Sequence, residues 1–196
     1  MKRIKKLVSM ILLAITFLFP ALLYSVGGGI LPYVVQKTKR TRTVYFLLGR
    51  EAHGHAKGTW ADFGGGGHKG ETAKQTAIRE GSEETMNIIS PTFIRNYINT
   101  HKKAWKCGNT YLINIEKLVG KNPNFNSRKK FIDRFDKKRK NLINAQNLKK
   151  RGMREKDKFS WWKKGDLIGA IRQKSNRLRP NFIHRYKNCI SRLNRL

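Results

Sequence analysis

The sequence predicts an α/β domain, on three observations. Short β-branched and aromatic runs lie before residue 64 and recur at residues 104–115 and 158–162. A helical stretch with a capping signature follows a glycine run, at residues 72–85. A second helical stretch begins at Asp166, directly after the last apolar run. Strands interleaved with helices in this way are the pattern of an α/β fold. A length of 196 residues suits one such domain with extensions.

The chain opens with a basic segment, Met1 to Lys6, and an apolar run from Leu7 to Tyr24. Pro20 near the end of that run, and the small residues Ser25 and Gly27 after it, give the architecture of a signal peptide. An uncleaved anchor through residues 7–24 is the rival reading, since about 18 apolar residues is the lower edge for spanning a bilayer. In either case the rest of the chain is expected to be exported, because basic residues before an apolar segment stay inside. Residues 1–27 are therefore set apart from a domain at 28–178, which carries a basic insertion at about 120–152. Residues 179–196 read as a basic tail.

Ile30 to Gln36 reads as a first strand, with Pro32 placing it at a sheet edge or a strand start. Thr43 to Leu48 reads as a second strand, paired with the first in a hairpin. Glu51 to Thr59 is a loop, and Trp60 to Phe63 is short and extended. Gly64 to Gly70 has too much glycine for regular structure. Thr72 and Gln75 fit a capping box, which starts a helix running from about Ala73 to Thr85. Its exit is expected at Asn87, because Asn tolerates a left-handed cap and Met86 does not. Ala104 to Ile115 reads as one or two strands. Asn122 to Arg151 carries a loose helical pattern at Phe131, Ile132, Phe135 and Leu142, but its Lys content favours a solvated basic insertion. Lys158 to Trp162 is a further strand, and Asp166 to Gln173 a short helix with Asp at its start. Pro180 to Leu196 is basic with sparse apolar positions. Cys107 and Cys189 are too few for a disulfide framework or a zinc site, and either one bridge or two thiols is consistent with them.

The charge pattern singles out one region. The chain has 43 Lys plus Arg against 12 Asp plus Glu, a formal net charge of +31. Such a balance concerns partners rather than fold, and it admits RNA, an anionic membrane surface or a phosphorylated small molecule. Yet Glu71, Glu80, Glu83 and Glu84 fall within fourteen residues of one another, just after Asp62. On a helix, Glu80, Glu83 and Glu84 share one face. They repel each other, and they sit at the end of the helix where its dipole disfavours anions. A hard divalent cation such as Mg²⁺ or Mn²⁺ is a natural partner for clustered carboxylates beside a glycine loop that exposes backbone.

These residues resemble the Nudix box, G-x5-E-x7-R-E-U-x-E-E-x-G-U. Gly65, Glu71, Arg79, Glu80, Glu83 and Glu84 stand at its fixed spacings. Gly81, Met86 and Asn87 depart from it where the pattern has an aliphatic, a glycine and an aliphatic, and none of the three is a ligand position. The likeness extends over most of residues 28–177. It implies a Nudix-type α/β/α sandwich with a mixed sheet and a loop-helix-loop, and a pyrophosphohydrolase acting on a nucleoside diphosphate linked to another moiety. The resemblance implies that Glu80, Glu83 and Glu84 hold Mg²⁺ or Mn²⁺, with the Gly64 carbonyl as a further ligand. It gives Arg79 the task of pinning a box carboxylate, and Gly65 and Glu71 the support of the loop. A late carboxylate is often added in this family; Glu155 is the first candidate and Asp157 the second. The general base is Glu83 or Glu155. The intact carboxylates favour an enzyme over a nucleic-acid-binding module, with a hydrolase of RNA 5′ ends as the hybrid reading. His53, His55 and His68 read as solvated loop residues beside the site. Trp60, Trp161 and Trp162 could stack a base, although burial preference favours packing.

Overall fold

The computed structural model describes residues 26–101, 105–144 and 151–196. The apolar run at 7–24, Ala104 and residues 145–150 of the insertion lie outside the described residues. Among the described residues, no helix is long and apolar enough to cross a membrane.

Seven strands form one mixed sheet: β1 (Gly28–Lys37), β2 (Arg42–Glu51), β3 (Trp60–Ala61), β4 (Phe63–Gly65), β5 (Lys106–Cys107), β6 (Thr110–Asn114) and β7 (Lys156–Lys163). β1 and β2 make the expected antiparallel hairpin, and β6 runs parallel to β1. β4 also pairs with β1, and β7 with β2. The run at 104–115 resolves into the two paired strands β5 and β6.

Two sequence expectations fail here for identifiable reasons. Pro32 is not at an edge: it lies inside β1, which is paired on both sides. The Gly29 amide donates to Asn109, on the β6 side, so alternation turns the position of Pro32 toward the opposite side. On that side β4 pairs only to Ile30 and β2 only from Tyr33, so the missing N–H falls in the gap between two partners. The glycine run is also not wholly irregular, since Gly64 and Gly65 belong to β4. Gly29 and Gly64 pair directly, and a Cβ built on Gly64 would lie 2.6 Å from the Gly29 Cα. Glycine here lets the two paired strands approach more closely than a side chain would allow.

Helices cover both faces. Helix α1 (Ala73–Glu84) starts with the predicted capping box: the Thr72 side chain accepts from the Gln75 amide, and Gln75 accepts from the Thr72 amide at 2.8 Å. Its exit differs from expectation. Met86 itself takes the left-handed conformation (φ 51°), followed by Asn87 (φ 58°). The Asn87 amide donates to the Ser82 carbonyl and the Met86 amide to that of Glu83, the bond pair of a Schellman motif. Met86 accepts the strain because its side chain is fully buried among Ile30, Ala77 and Ile89. Helix α2 (Pro91–Thr100) was not anticipated, although Ser90 caps it and Pro91 opens it, which is a legible start signal. A single turn, α3 (Glu116–Val119), leads to α4 (Phe125–Asn144).

Helix α4 corrects the reading of the insertion as merely solvated. Its loose pattern is a true apolar stripe: Phe131 and Phe135 are buried, and Phe135 stacks on Phe159 of β7. Arg128 is buried as well, bonding Gln36 and the Pro123 carbonyl and lying over the Tyr45 ring. The other residues of α4 are mostly exposed, which is what the Lys count reported. Together α1, α2 and α4 cover one face of the sheet.

The opposite face is covered by α5 (Lys164–Arg172), α6 (Pro180–Lys187) and α7 (Ile190–Arg195). Asp166 lies in the first turn of α5 rather than at its cap. The residues read as a basic tail form α6 and α7, whose sparse apolar positions Phe182, Tyr186, Leu193 and Leu196 are all buried in the core. Asp62 anchors them, accepting from Arg185 at 2.6 Å and from the Tyr186 hydroxyl at 3.0 Å. Cys107 and Cys189 meet here as buried free thiols, and burial together with their mutual hydrogen bond pushes the Cys107 thiol up.

Candidate active site

The acidic cluster forms where α1 crosses the β1–β4 pairing. Gly81 sets the distance: a Cβ there would lie 2.8 Å from Ile30 Cδ1, so the helix lies directly on the strand. That packing carries Glu80 and Glu84 into the protein, where they are 8 % and 1 % exposed, and leaves Glu83 partly exposed.

Arg79 organises the loop side. Its Nε and Nη2 donate to the two oxygens of Glu71 at 2.8 and 2.9 Å, a bidentate pair. Nη1 donates to Glu80 Oε1 at 2.7 Å and lies 3.5 Å from Glu83 Oε2, and Nη2 also reaches the Gly66 carbonyl. Glu71 in turn accepts from the His68 amide and the Thr76 hydroxyl. With Arg79 as the main cause, these bonds lower the Glu71 carboxyl from 4.5 to about 2. Gly65 is needed at its position, because a Cβ there would lie 2.8 Å from the Glu80 carboxylate.

Glu84 faces the other way. Its Oε2 accepts the Gly64 amide at 2.7 Å. Its Oε1 is buried without a hydrogen-bond partner, 3.6 Å from the Lys156 ammonium. Burial pushes the Glu84 carboxyl well above the ordinary range, only partly offset by Lys156. Glu80 is raised too, by burial first, with Arg79 working against it and the charges of Glu155 and Glu83 adding to it.

Among the described residues, no group of three or more His, Cys, Asp or Glu stands as a ready-made metal cage. The protein's own cations, Arg79 and Lys156, hold the box carboxylates. The donor set nonetheless fits a hard divalent ion. It is all oxygen, Glu80 and Glu84 are buried, and one buried oxygen, Glu84 Oε1, has no hydrogen-bond partner.

The remaining sequence candidates separate cleanly. Glu155, after a 3₁₀ turn (Arg151–Arg154), lies near enough to raise both Glu80 and Glu84. Asp157 is turned away into a bidentate pair with Arg50 at 2.8 and 3.0 Å. Trp60 packs edge-on against Trp162, and Trp161 packs on Phe131 while its Nε1 donates to the Arg128 carbonyl. His53, His55 and His68 are exposed, the first two at the mouth of a neighbouring cavity.

Three residues of the site were missed by sequence reasoning. Lys156 is fully buried and donates to Glu51 Oε1 at 2.7 Å; Arg179 reaches the same oxygen at 3.0 Å. No spacing signal links positions 51, 156 and 179. Only the pairing of Glu51 with Lys156 between β2 and β7, and the return of the chain at α6, bring them together.

A family model described as the NUDIX domain matches residues 31–136. The solved structure of a mutT/nudix family protein from Listeria innocua aligns with a TM-score of 0.42 at 14% identity, over 86% of this chain and 93% of that chain. No curated protein matches. Members of the matched family generally hydrolyse acid anhydrides of the pyrophosphate type and use divalent metal ions. With more than half of its residues under the family model, and with Arg79, Glu80, Glu83 and Glu84 together on α1, the chain belongs to the Nudix family of hydrolases.

Proposed function

We propose that this protein is a metal-dependent hydrolase that cleaves the phosphoanhydride of a nucleoside diphosphate linked to another moiety. The observation that carries the reading is the buried Glu84 Oε1, which has no hydrogen-bond partner, stands 3.6 Å from Lys156 and lies on the helix that also carries Glu80 and Glu83. Glu80, Glu83 and Glu84 would hold Mg²⁺ or Mn²⁺, with the Gly64 carbonyl and Glu155 as further donors. The ion, when bound, supplies Lewis-acid polarisation of phosphate oxygens and lowers the pKa of water. Arg79 fixes the Glu80 carboxylate and ties the loop to the helix through Glu71. Glu83 or Glu155 takes the proton from the attacking water, since both lie at the open side of the cluster. Lys156 is the permanent positive charge behind Glu84.

The partner is accordingly a nucleotide-type small molecule. A hydrolase of RNA 5′ ends is the second reading, supported by the exposed lysines 129, 130, 137, 138 and 140 along α4. The basic and apolar segments at residues 1–24 support an exported or membrane-anchored location.

The test is hydrolysis of a panel of nucleoside diphosphate compounds and capped RNA by the full chain, with Mg²⁺ or Mn²⁺, beside Glu84→Gln. Metal-dependent turnover that falls by more than about a hundredfold in the variant is the expected result. Glu83→Gln and Glu155→Gln then separate the base, which is the one whose loss removes the acidic limb of the pH–rate profile. Turnover that survives Glu84→Gln overturns the site, and salt-sensitive RNA binding without turnover overturns the enzyme.

A further inference from the structure

A cavity of about 1180 Å³ opens beside the acidic cluster, and Glu51 and Glu155 lie in its wall. Both belong also to the site just described: Glu155 raises Glu80 and Glu84, and Glu51 is joined to Lys156. The cavity therefore adjoins the acidic cluster through these two residues. Its far walls come from α6, from the segment between α5 and α6, and from the loop after β2. Most of these residues lie outside the span matched by the family model.

The chemistry of the wall is one-sided. Arg154, Lys174, Arg179 and Lys187 line it, against the two carboxylates. One of those carboxylates, Glu51, already faces two cations, Lys156 and Arg179. His53, His55 and His184 add three more groups able to donate to an anion. Among the described residues no Phe, Tyr or Trp lines the cavity, and a wall rich in cations suits phosphate.

Lys174 gives an independent sign. It holds the left-handed conformation, with φ 50°, at the end of α5. The Ser175 amide donates to the Ala170 carbonyl and the Lys174 amide to that of Ile171, which makes position 174 the Schellman residue where glycine is ordinarily found. A lysine in this conformation strains the backbone, and its side chain is exposed, so packing does not account for it. Lys174 also lines the cavity.

We propose that this cavity binds a polyanionic part of the substrate, either a run of phosphates or a phosphorylated carrier, lying beyond the anhydride that is cleaved. The proposal rests on the hydrolase reading and narrows it: the moiety joined to the nucleoside diphosphate is itself phosphorylated. Arg154, Lys174, Arg179 and Lys187 are its positioning residues.

The test measures binding rather than turnover, so that its failure is separable from failure of the hydrolase reading. The full chain and its Glu84→Gln form are titrated calorimetrically, in EDTA, with tripolyphosphate, with glucose 1,6-bisphosphate and with AMP. Tripolyphosphate or the bisphosphate is expected to bind both forms equally, and at least about tenfold tighter than AMP. Lys174→Gly/Lys187→Ala should weaken that binding about tenfold, while Lys130→Ala/Lys137→Ala, which removes the same charge from exposed α4, changes it by less than about twofold. Lys174→Gly alone should melt no lower than wild type, since it relieves the left-handed strain. The polyanion that loses affinity identifies the chain of phosphates or the carrier. Equal loss in both double variants, no loss in the cavity variant, no polyanion binding, or AMP binding as tight as the polyanions overturns the proposal.

Discussion

Arg79 concentrates most of what a single residue does here. It is shared among Glu71, Glu80 and the Gly66 carbonyl, so it couples loop to helix. The sequence spacing identified it, because helical periodicity and the box pattern are local. The Glu71 carboxyl, lowered from 4.5 to about 2 mainly by Arg79, contributes stability that is fully present above pH 4.5 and lost as pH falls through about 2. Discounted for the exposure of the pair, that contribution is about 1–2 kcal/mol. Glu71→Gln should therefore melt lower than wild type at pH 7, with the gap closing below pH 4.5; a gap that persists at pH 2 would show that the loss is packing, not charge. Met86 makes the complementary case, where local logic was incomplete. Propensity assigns the left-handed position to Asn87, which takes it, but Met86 takes it too, with its side chain fully buried. Met86→Gly would relieve about 1 kcal/mol of strain but forfeit about 2–5 kcal/mol of packing. Net destabilisation is expected in urea unfolding, and a more stable variant would mean that the side chain contributes little.

At the level of elements, the legible parts were those with a local signal. The β1–β2 hairpin, the capped start of α1 and strand β7 follow from alternation, a capping box and an aromatic run. What could not be read was anything set by pairing across the chain. The place of Pro32 depends on where β4 ends and β2 begins, and the burial of α4, α6 and α7 depends on a sheet face that no sequence window contains. The most consequential of these pairings is β2 with β7, which buries Lys156 between Glu51 and Glu84. Removing one partner of a buried charge pair costs about 3–5 kcal/mol, because the other charge is stranded. Lys156→Met should lower stability by that amount in urea unfolding. Adding Glu84→Gln should recover part of it, since one stranded carboxylate is then neutral. Purely additive losses would mean that Lys156 and Glu84 do not interact, and that the site lacks the fixed positive charge assigned to it.

For the whole molecule, the charge of +31 acts on folding and binding with opposite consequences. The acids are few and most are buried or half-buried, many beside Arg79, Lys156, Arg185 and Arg50, with Asp133, Asp136 and Asp166 exposed, so the outer surface is left strongly positive. Like charges on one surface repel and oppose compaction, and they also draw anionic substrates toward the cavity wall. Salt screens both effects, because the Debye length shrinks from about 10 Å at 0.1 M to about 3 Å at 1 M. Between about 0.05 M and about 0.5 M NaCl the melting temperature should therefore rise, by roughly 2–4 °C for each kcal/mol of repulsion removed. Over the same range KM for a phosphorylated substrate should rise while kcat holds, since steering and phosphate contacts weaken but the buried carboxylates and Arg79 are shielded from the solvent ions. A melting temperature that falls with salt would place the ion pairs, rather than surface repulsion, in control of stability. A kcat that falls in step with the rise in KM would mean that the salt reaches the buried cluster itself.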